Sequence, residues 1–82
     1  MITLEQAIAI AEQKAIELKL GFEISHVISY DDIQSPRPII YGADISNCWV
    51  AYVAPEVYRV GLSKIIAIDR ESGVVVAHGL VF

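Results

Sequence analysis

The residues of this chain that could attack, ligate or transfer protons are few and scattered. They are one cysteine, Cys48, two histidines, His26 and His78, and the neighbouring carboxylates Asp31 and Asp32. Nucleophilic catalysis needs a nucleophile, a base and an orienting group in contact. Cys48 lies in a dense apolar run, and burial raises the pKa of a thiol and leaves it inert. We therefore interpret Cys48 as structural and expect that the protein is not an enzyme.

The remaining chemical patterns also predict no site. His26 and His78 are far apart in the sequence, neither has a second ligand at short spacing, and they would meet only if the first and last strands were neighbours. The five glycines are isolated, so no glycine-rich loop precedes a helix. In an extended chain Asp31 and Asp32 point to opposite faces, which favours a solvated loop over an acid/base pair. We expect no catalytic residue, metal or cofactor.

Composition indicates one small domain, residues 1–82, and limits its partners. The chain is 55% hydrophobic and only 20% charged, which excludes disorder. Its formal net charge is −4 and its six basic residues are scattered, so a nucleic-acid partner is not expected. The longest uncharged stretches, 45–55 and 72–82, are eleven residues each, whereas a membrane span needs about 18–20.

The N-terminus and the cysteine content indicate a cytoplasmic protein. Glu5 and Glu12 interrupt any hydrophobic region at the N-terminus, and no basic segment precedes it. A single cysteine cannot form an internal disulfide, which suits a reducing compartment.

Residues 3–20 have the pattern of one amphipathic helix. Thr3 and Gln6 have capping-box spacing, and Gly21 stands where a left-handed C-terminal cap is expected. At helical spacing one apolar stripe faces the core, formed by Leu4, Ala7, Ile8, Ala11, Ala15 and Leu18. Ile10 and Ile16 flank that stripe, so the apolar surface is wider than one sheet face requires.

The period changes to two from residue 22 onward. The first strand places Phe22, Ile24, His26, Ile28 and Tyr30 on one face, with Val27 as the exception on the other. Residues 48–54 are apolar on both faces and predict a central strand, and 64–69 and 74–81 predict two more. Residues 39–41 fit either a short edge strand or a loop.

A turn at residues 69–73 joins the last two strands, with Asp69 at its head and Gly73 where a positive φ is needed. One helix followed by about four antiparallel strands predicts an α+β fold, in which the N-terminal helix packs on a curved sheet.

Surface residues are left as the candidates for recognition. Arg37 and Tyr41 lie in or beside the Ser-Pro-Arg-Pro segment, and Tyr58 and Arg59 lie in a connection of about ten residues. Tyr and Arg are the residue types that interfaces favour, so we predict these four as partner contacts. Tyr58 fits equally well as a lid on the core.

The pattern resembles a known family. A Thr-Leu-Glu-Gln-Ala helix precedes a Trp49-Val-Ala-Tyr strand, an Ile-Ile-Ala-Ile-Asp69-Arg-Glu-Ser-Gly73-Val hairpin and a closing Ala77-His-Gly79. This resembles the small YrhB-like immunity proteins of bacterial toxin systems and, more distantly, the PepSY domain, a cystatin-like two-layer fold. The first resemblance implies a cytoplasmic protein that neutralises a toxin by binding it. The second implies an inhibitory or regulatory module.

Three functions therefore stay open. The first is a non-enzymatic protein-binding module of the immunity or inhibitor type, whose acidity would help it find a basic partner. The second is a self-associating structural or regulatory module, a homodimer through the spare apolar surface. The third, the least favoured, is an enzyme or small-ligand binder with a cavity between helix and sheet.

Overall fold

The chain folds as a helix followed by an antiparallel sheet of four strands. The computed structural model describes residues 1–18, 23–34, 37–40, 42–54 and 63–81. Within these ranges, helix α1 (Leu4–Glu17) precedes strands β1 (Glu23–Ser29), β2 (Cys48–Ala54), β3 (Ser63–Asp69) and β4 (Val75–Val81). The strand order is β1-β2-β3-β4, and α1 packs on one face, mainly against β1. The predicted α+β fold is confirmed.

Helix α1 begins with the predicted capping box. The Gln6 N–H donates to Thr3 Oγ1 at 3.1 Å, and the Thr3 N–H donates to Gln6 Oε1 at 2.8 Å. These bonds satisfy two backbone donors that the first turn leaves free. The helix ends earlier than the predicted residue 20, because Leu18 is its C-cap. The predicted cap at Gly21 lies outside the described residues.

Three alanines of α1 form its contact with the sheet. Ala7, Ala11 and Ala15 are buried, as the pattern predicts, and their small side chains let the helix lie close to the strands. Leu4 does not share this burial, since it is 41% exposed. Ile2, from the residues before the helix, packs against this part of the core instead.

Strand β1 contains a bulge that the period-two pattern did not predict. Ile24 pairs with Val53 and His26 pairs with Tyr52, so Ser25 is an extra residue without a partner on β2. The bulge reverses the alternation after Ile24. As a result Ile24 and Val27 both pack on the helix side, and the prediction that Ile24 and His26 share a face is wrong.

The central position of β2 is confirmed, and both its faces are covered. Ala51, Val53 and the half-buried Trp49 face α1, whereas Cys48 and Val50 face the opposite side. The second face is covered by the connection from β1 to β2, which contributes Tyr30, Ile33, Ile40, Ala43 and Ile45. Ile39 and Ile40 lie in this connection and not in a strand.

The turn between β3 and β4 has the predicted geometry. Gly73 has φ +78°, and its N–H donates to the Asp69 carbonyl at 2.9 Å. The Asp69 N–H donates to the Val74 carbonyl at 2.8 Å, so two residues stand opposite one, as in a glycine bulge.

Among the described residues, α1 falls short of the length and apolar character of a membrane span.

Candidate functional site

Among the described residues, five carboxylates lie at one end of the sheet, which we call the acidic end. They are Asp31 and Asp32 after β1, Asp44 before β2, and Asp69 and Glu71 at the turn between β3 and β4. Antiparallel pairing brings these segments together, because Ser29 pairs with Trp49 and Cys48 pairs with Asp69.

Arg70 ties the segments of the acidic end to one another. Its Nη1 donates to Ser29 Oγ at 2.7 Å and to Asp31 Oδ2 at 3.1 Å, and its Nη2 donates to Asn47 Oδ1 at 2.8 Å. The Arg70 backbone adds two hydrogen bonds. Its N–H donates to the Asn47 carbonyl, and its carbonyl accepts from the Ile2 N–H. One residue therefore fixes β1, the start of β2, the turn and the N-terminus relative to each other.

Two further carboxylates are held by serines of their own turns. Asp44 Oδ1 accepts from the Ser46 hydroxyl at 2.6 Å and the Ser46 N–H at 3.0 Å. Asp69 Oδ2 accepts from the Ser72 hydroxyl at 2.6 Å and the Ser72 N–H at 3.1 Å. These bonds favour the ionised form of each carboxyl, and the bond from the serine hydroxyl has the largest effect. They therefore lower the pKa of both carboxyls.

The acidic end therefore presents fixed, ionised carboxylates with free acceptor capacity. Asp31 and Asp44 each use one oxygen in the bonds above, and their second oxygen has no hydrogen-bond donor within the described ranges. The Glu71 N–H also interacts with the Asp69 carboxylate. The site can accept hydrogen bonds from ammonium or guanidinium groups without first being ordered.

Arg37 is the predicted partner contact that the structure describes. Its side chain is exposed, Nε donates to the Ile33 carbonyl at 3.0 Å, and Nη2 donates to the Asp31 carbonyl at 3.3 Å. Its guanidinium also lies 5.3 Å from the centre of the Tyr30 ring, within the range of a cation–π contact. Arg37 thus orders the segment that follows β1, beside the acidic end. The other predicted contacts, Tyr41, Tyr58 and Arg59, lie outside the described residues.

The potential catalytic side chains are not brought together. His26 is on β1 and His78 is on β4, the two outer strands of the sheet. Cys48 is buried at the start of β2. The pKa of its thiol is raised, mainly by burial and further by the negative charges of Asp69 and Asp44. In the ranges that the structure describes, no group of three His, Cys, Asp or Glu side chains could hold a metal ion.

His26 has a specific contact of a different kind. Its ring stacks on the Tyr52 ring with 4.6 Å between the centroids and 18° between the planes. Its Nδ1 lies 3.3 Å from the hydroxyl of Ser25, the bulge residue. Burial raises the pKa of the Tyr52 phenol, so the phenol stays neutral beside the imidazole. The contact explains a histidine in an apolar strand as cross-strand packing.

A shallow groove of about 500 Å³ separates α1 from the start of β4. We call it the α1–β4 groove, and it is lined by Ala9, Ile10, Gln13, Lys14, Glu17, Val74 and Val75. Lys14 Nζ and Glu17 Oε2 are 3.8 Å apart in it. The described residues of its walls include no histidine or cysteine.

The fold and this site define a small α+β domain with a hydrogen-bonded, acidic end. No protein-family model matches the chain, and no curated protein or solved structure matches it either. The resemblance to YrhB-like immunity proteins and to PepSY domains therefore stays a prediction.

Proposed function

We propose that this protein is a non-enzymatic binding module that recognises a basic protein through its acidic end. The carrying observation is the set of carboxylates that Arg70, Ser46 and Ser72 hold in place at that end. A partner that presents lysines or arginines would find acceptors already ionised and already oriented.

The charge balance at this end supports a basic partner. Five carboxylates stand there with two guanidinium groups, those of Arg37 and Arg70. Each guanidinium offsets one of these negative charges, and the carboxylates still outnumber the guanidiniums by three. Asp32 and Glu71 are exposed at the rim, where a charge acts chiefly on the rate of association.

Rigidity supports recognition by this end. Binding costs free energy when side chains and loops must be ordered, so surfaces fixed in advance bind more tightly for the same contacts. The Arg70 bonds join segments that are 41, 39 and 23 residues apart in the sequence. The segments that would meet the partner are thereby held by the sheet itself.

The sheet edges are less suited to a partner than this end. Both outer strands contain a bulge, at Ser25 in β1 and at Val76 in β4. Bulges interrupt the regular row of backbone donors and acceptors that an added strand requires. The proposal therefore places the partner at the end of the sheet and not along an edge strand.

The resemblance to immunity proteins gives the proposal its biological form. In that form the protein acts in the cytoplasm and neutralises a basic toxin by covering it. The buried free thiol of Cys48 fits a reducing compartment.

The test is capture of the partner followed by rate measurements. The tagged full chain is incubated with extract of its native host, and a retained basic protein is purified and its binding measured by surface plasmon resonance. Asp32→Lys and Glu71→Lys should each lower the association rate constant, together by about tenfold or more at low salt.

Glu12→Lys is the matched control, because Glu12 is exposed on α1 and its reversal changes the net charge by the same amount. It should leave the association rate within about twofold, since its charge lies away from the contact. Recovery of acidic partners alone, or an equal effect of Glu12→Lys, would contradict the proposal.

A further inference from the structure

The face of the sheet opposite α1 is covered by a segment with little regular secondary structure. This segment is the connection from β1 to β2, and its first three residues, Tyr30–Asp32, form a short 3₁₀ turn. We call the described residues between 33 and 45 the strap, and none of them lies in a helix or strand. Pro38 and Ile45 of the strap are buried.

Side-chain packing holds the strap on the sheet. Four of its residues belong to the apolar cluster of this face, namely Ile33, Ile40, Ala43 and Ile45. The strands contribute Cys48, Val50, Ile65 and Ala67 to the same cluster. Within the described residues, the one hydrogen bond between strap and strand is at the end of the strap, where the Cys48 N–H donates to the Ile45 carbonyl at 3.1 Å. The strap therefore adds nothing to the hydrogen-bonded ladders of the sheet.

The remaining hydrogen bonds of the strap are formed within the connection itself. Arg37 Nε donates to the Ile33 carbonyl at 3.0 Å, and the Ala43 N–H donates to the Ile40 carbonyl at 3.3 Å. These bonds need not break when the strap separates from the sheet. The free energy of separation is therefore mainly that of exposing the apolar cluster.

The rest of the fold has its own core on the other side of the sheet. Helix α1 packs there through a separate apolar cluster, which includes Ala11, Ala51 and Ile66. The three strand pairings also involve no residue of the strap. A helix packed on three or more paired strands meets the requirement for independent stability.

From these contacts we infer that the strap opens as a unit while α1 and the four strands stay folded. Segments without ladder bonds open locally at a lower free energy than the whole fold. The closed form predominates, and in it the acidic end is complete. Opening uncovers Cys48 and separates Asp44, which is on the strap, from Asp69, which ends β3. The opening belongs to the free chain, so this inference does not depend on the proposed function.

Cys48 can report on the opening, because it lies in the cluster under the strap and is the only cysteine. The purified full chain is mixed with excess thiol reagent at urea concentrations from 0 to about 3 M, and the rate of Cys48 modification is measured. When closing is faster than modification, this rate is proportional to the population of the open form. Global unfolding is measured in parallel by the fluorescence of Trp49.

We expect Cys48 to react far more slowly than an exposed thiol but faster than global unfolding permits. The logarithm of its rate should also rise less steeply with urea than global unfolding does, because opening exposes only part of the surface that unfolding exposes. This comparison needs no variant.

Two identical substitutions on opposite faces then distinguish the strap from the rest of the fold. Ile40→Ala should raise the rate of Cys48 modification about tenfold, because the closed form loses a contact that the open form lacks. Ile24→Ala is the matched control, since Ile24 is also half-buried but packs on the α1 side. It should lower global stability but change the rate of modification by less than about twofold, because the closed and open forms lose the same contact.

Modification at the rate that global unfolding sets, with the same urea dependence, would overturn the inference. An Ile24→Ala effect on the rate as large as that of Ile40→Ala would overturn it as well. Because the measurement uses the chain without a partner, its outcome is separate from that of the proposed function.

Discussion

Replacing Arg70 with methionine tests whether one side chain holds the acidic end together. Methionine keeps most of the apolar volume of the arginine and removes its three side-chain hydrogen bonds. The acceptors differ in burial: Ser29 is 7% exposed, whereas the Asp31 side chain is 65% exposed. The loss should therefore come mainly from Ser29, with less from the exposed Asn47 and only a little from the ion pair.

The magnitude follows from these three bonds. A buried hydroxyl left without a partner costs about 1–2 kcal/mol, and the bond to Asn47 contributes about 1 kcal/mol. The ion pair contributes about 0.5 kcal/mol, because the exposed Asp31 is screened by solvent. Arg70 Nε is buried without an acceptor among the described residues. Removing this unpaired donor stabilises the fold and offsets part of the loss. We expect Arg70→Met to lower the free energy of unfolding by about 2–3 kcal/mol.

The assay is urea unfolding, followed by the fluorescence of Trp49, the only tryptophan. Arg37→Met is the matched control, since Arg37 is exposed and, among the described residues, its side chain donates to two backbone carbonyls. It should cost about 0.5–1 kcal/mol. If Arg70→Met cost no more than Arg37→Met, the reasoning that the Ser29 and Asn47 bonds join the segments would be refuted.

Three further predictions concern the turn, the thiol and a fixed carboxylate. Gly73→Ala should lower the free energy of unfolding by about 1–3 kcal/mol, as measured by thermal melting. The reason is that φ is +78° at this position and the new Cβ would lie 3.3 Å from two isoleucine side chains. Gly42→Ala, with φ +82° and no atom within 4 Å, should cost only the backbone strain of about 1 kcal/mol. Cys48 should resist a thiol reagent in the native state and react on unfolding, because it is buried and the pKa of its thiol is raised. The pKa of Asp69 is lower in the folded chain than its ordinary value of 3.8. Ionised Asp69 therefore stabilises the fold above pH 3.8, and this contribution is lost as the pH falls through the folded pKa. Ser72→Ala should flatten the decline of stability below about pH 4.

Local patterns predicted the elements whose geometry depends on near neighbours. The alternation in residues 48–54 predicted both faces of β2, and the alanine spacing predicted which side of α1 is buried. Gly73 was predictable because the turn needs a positive φ that other residues resist. Each of these features is decided within a few residues of the chain.

The acidic end was not predictable in the same way, because its contacts depend on the register of the sheet. Nothing in the local sequence connects Arg70 with Ser29 or Asn47; only the pairing of β1, β2 and β3 brings them together. The bulge at Ser25 was missed because a serine fits either face of a strand, so the alternation was extended through it. One local signal was available: an aspartate followed two or three residues later by a serine, as at Asp44 and Asp69, is typical of a turn in which the carboxylate is bonded.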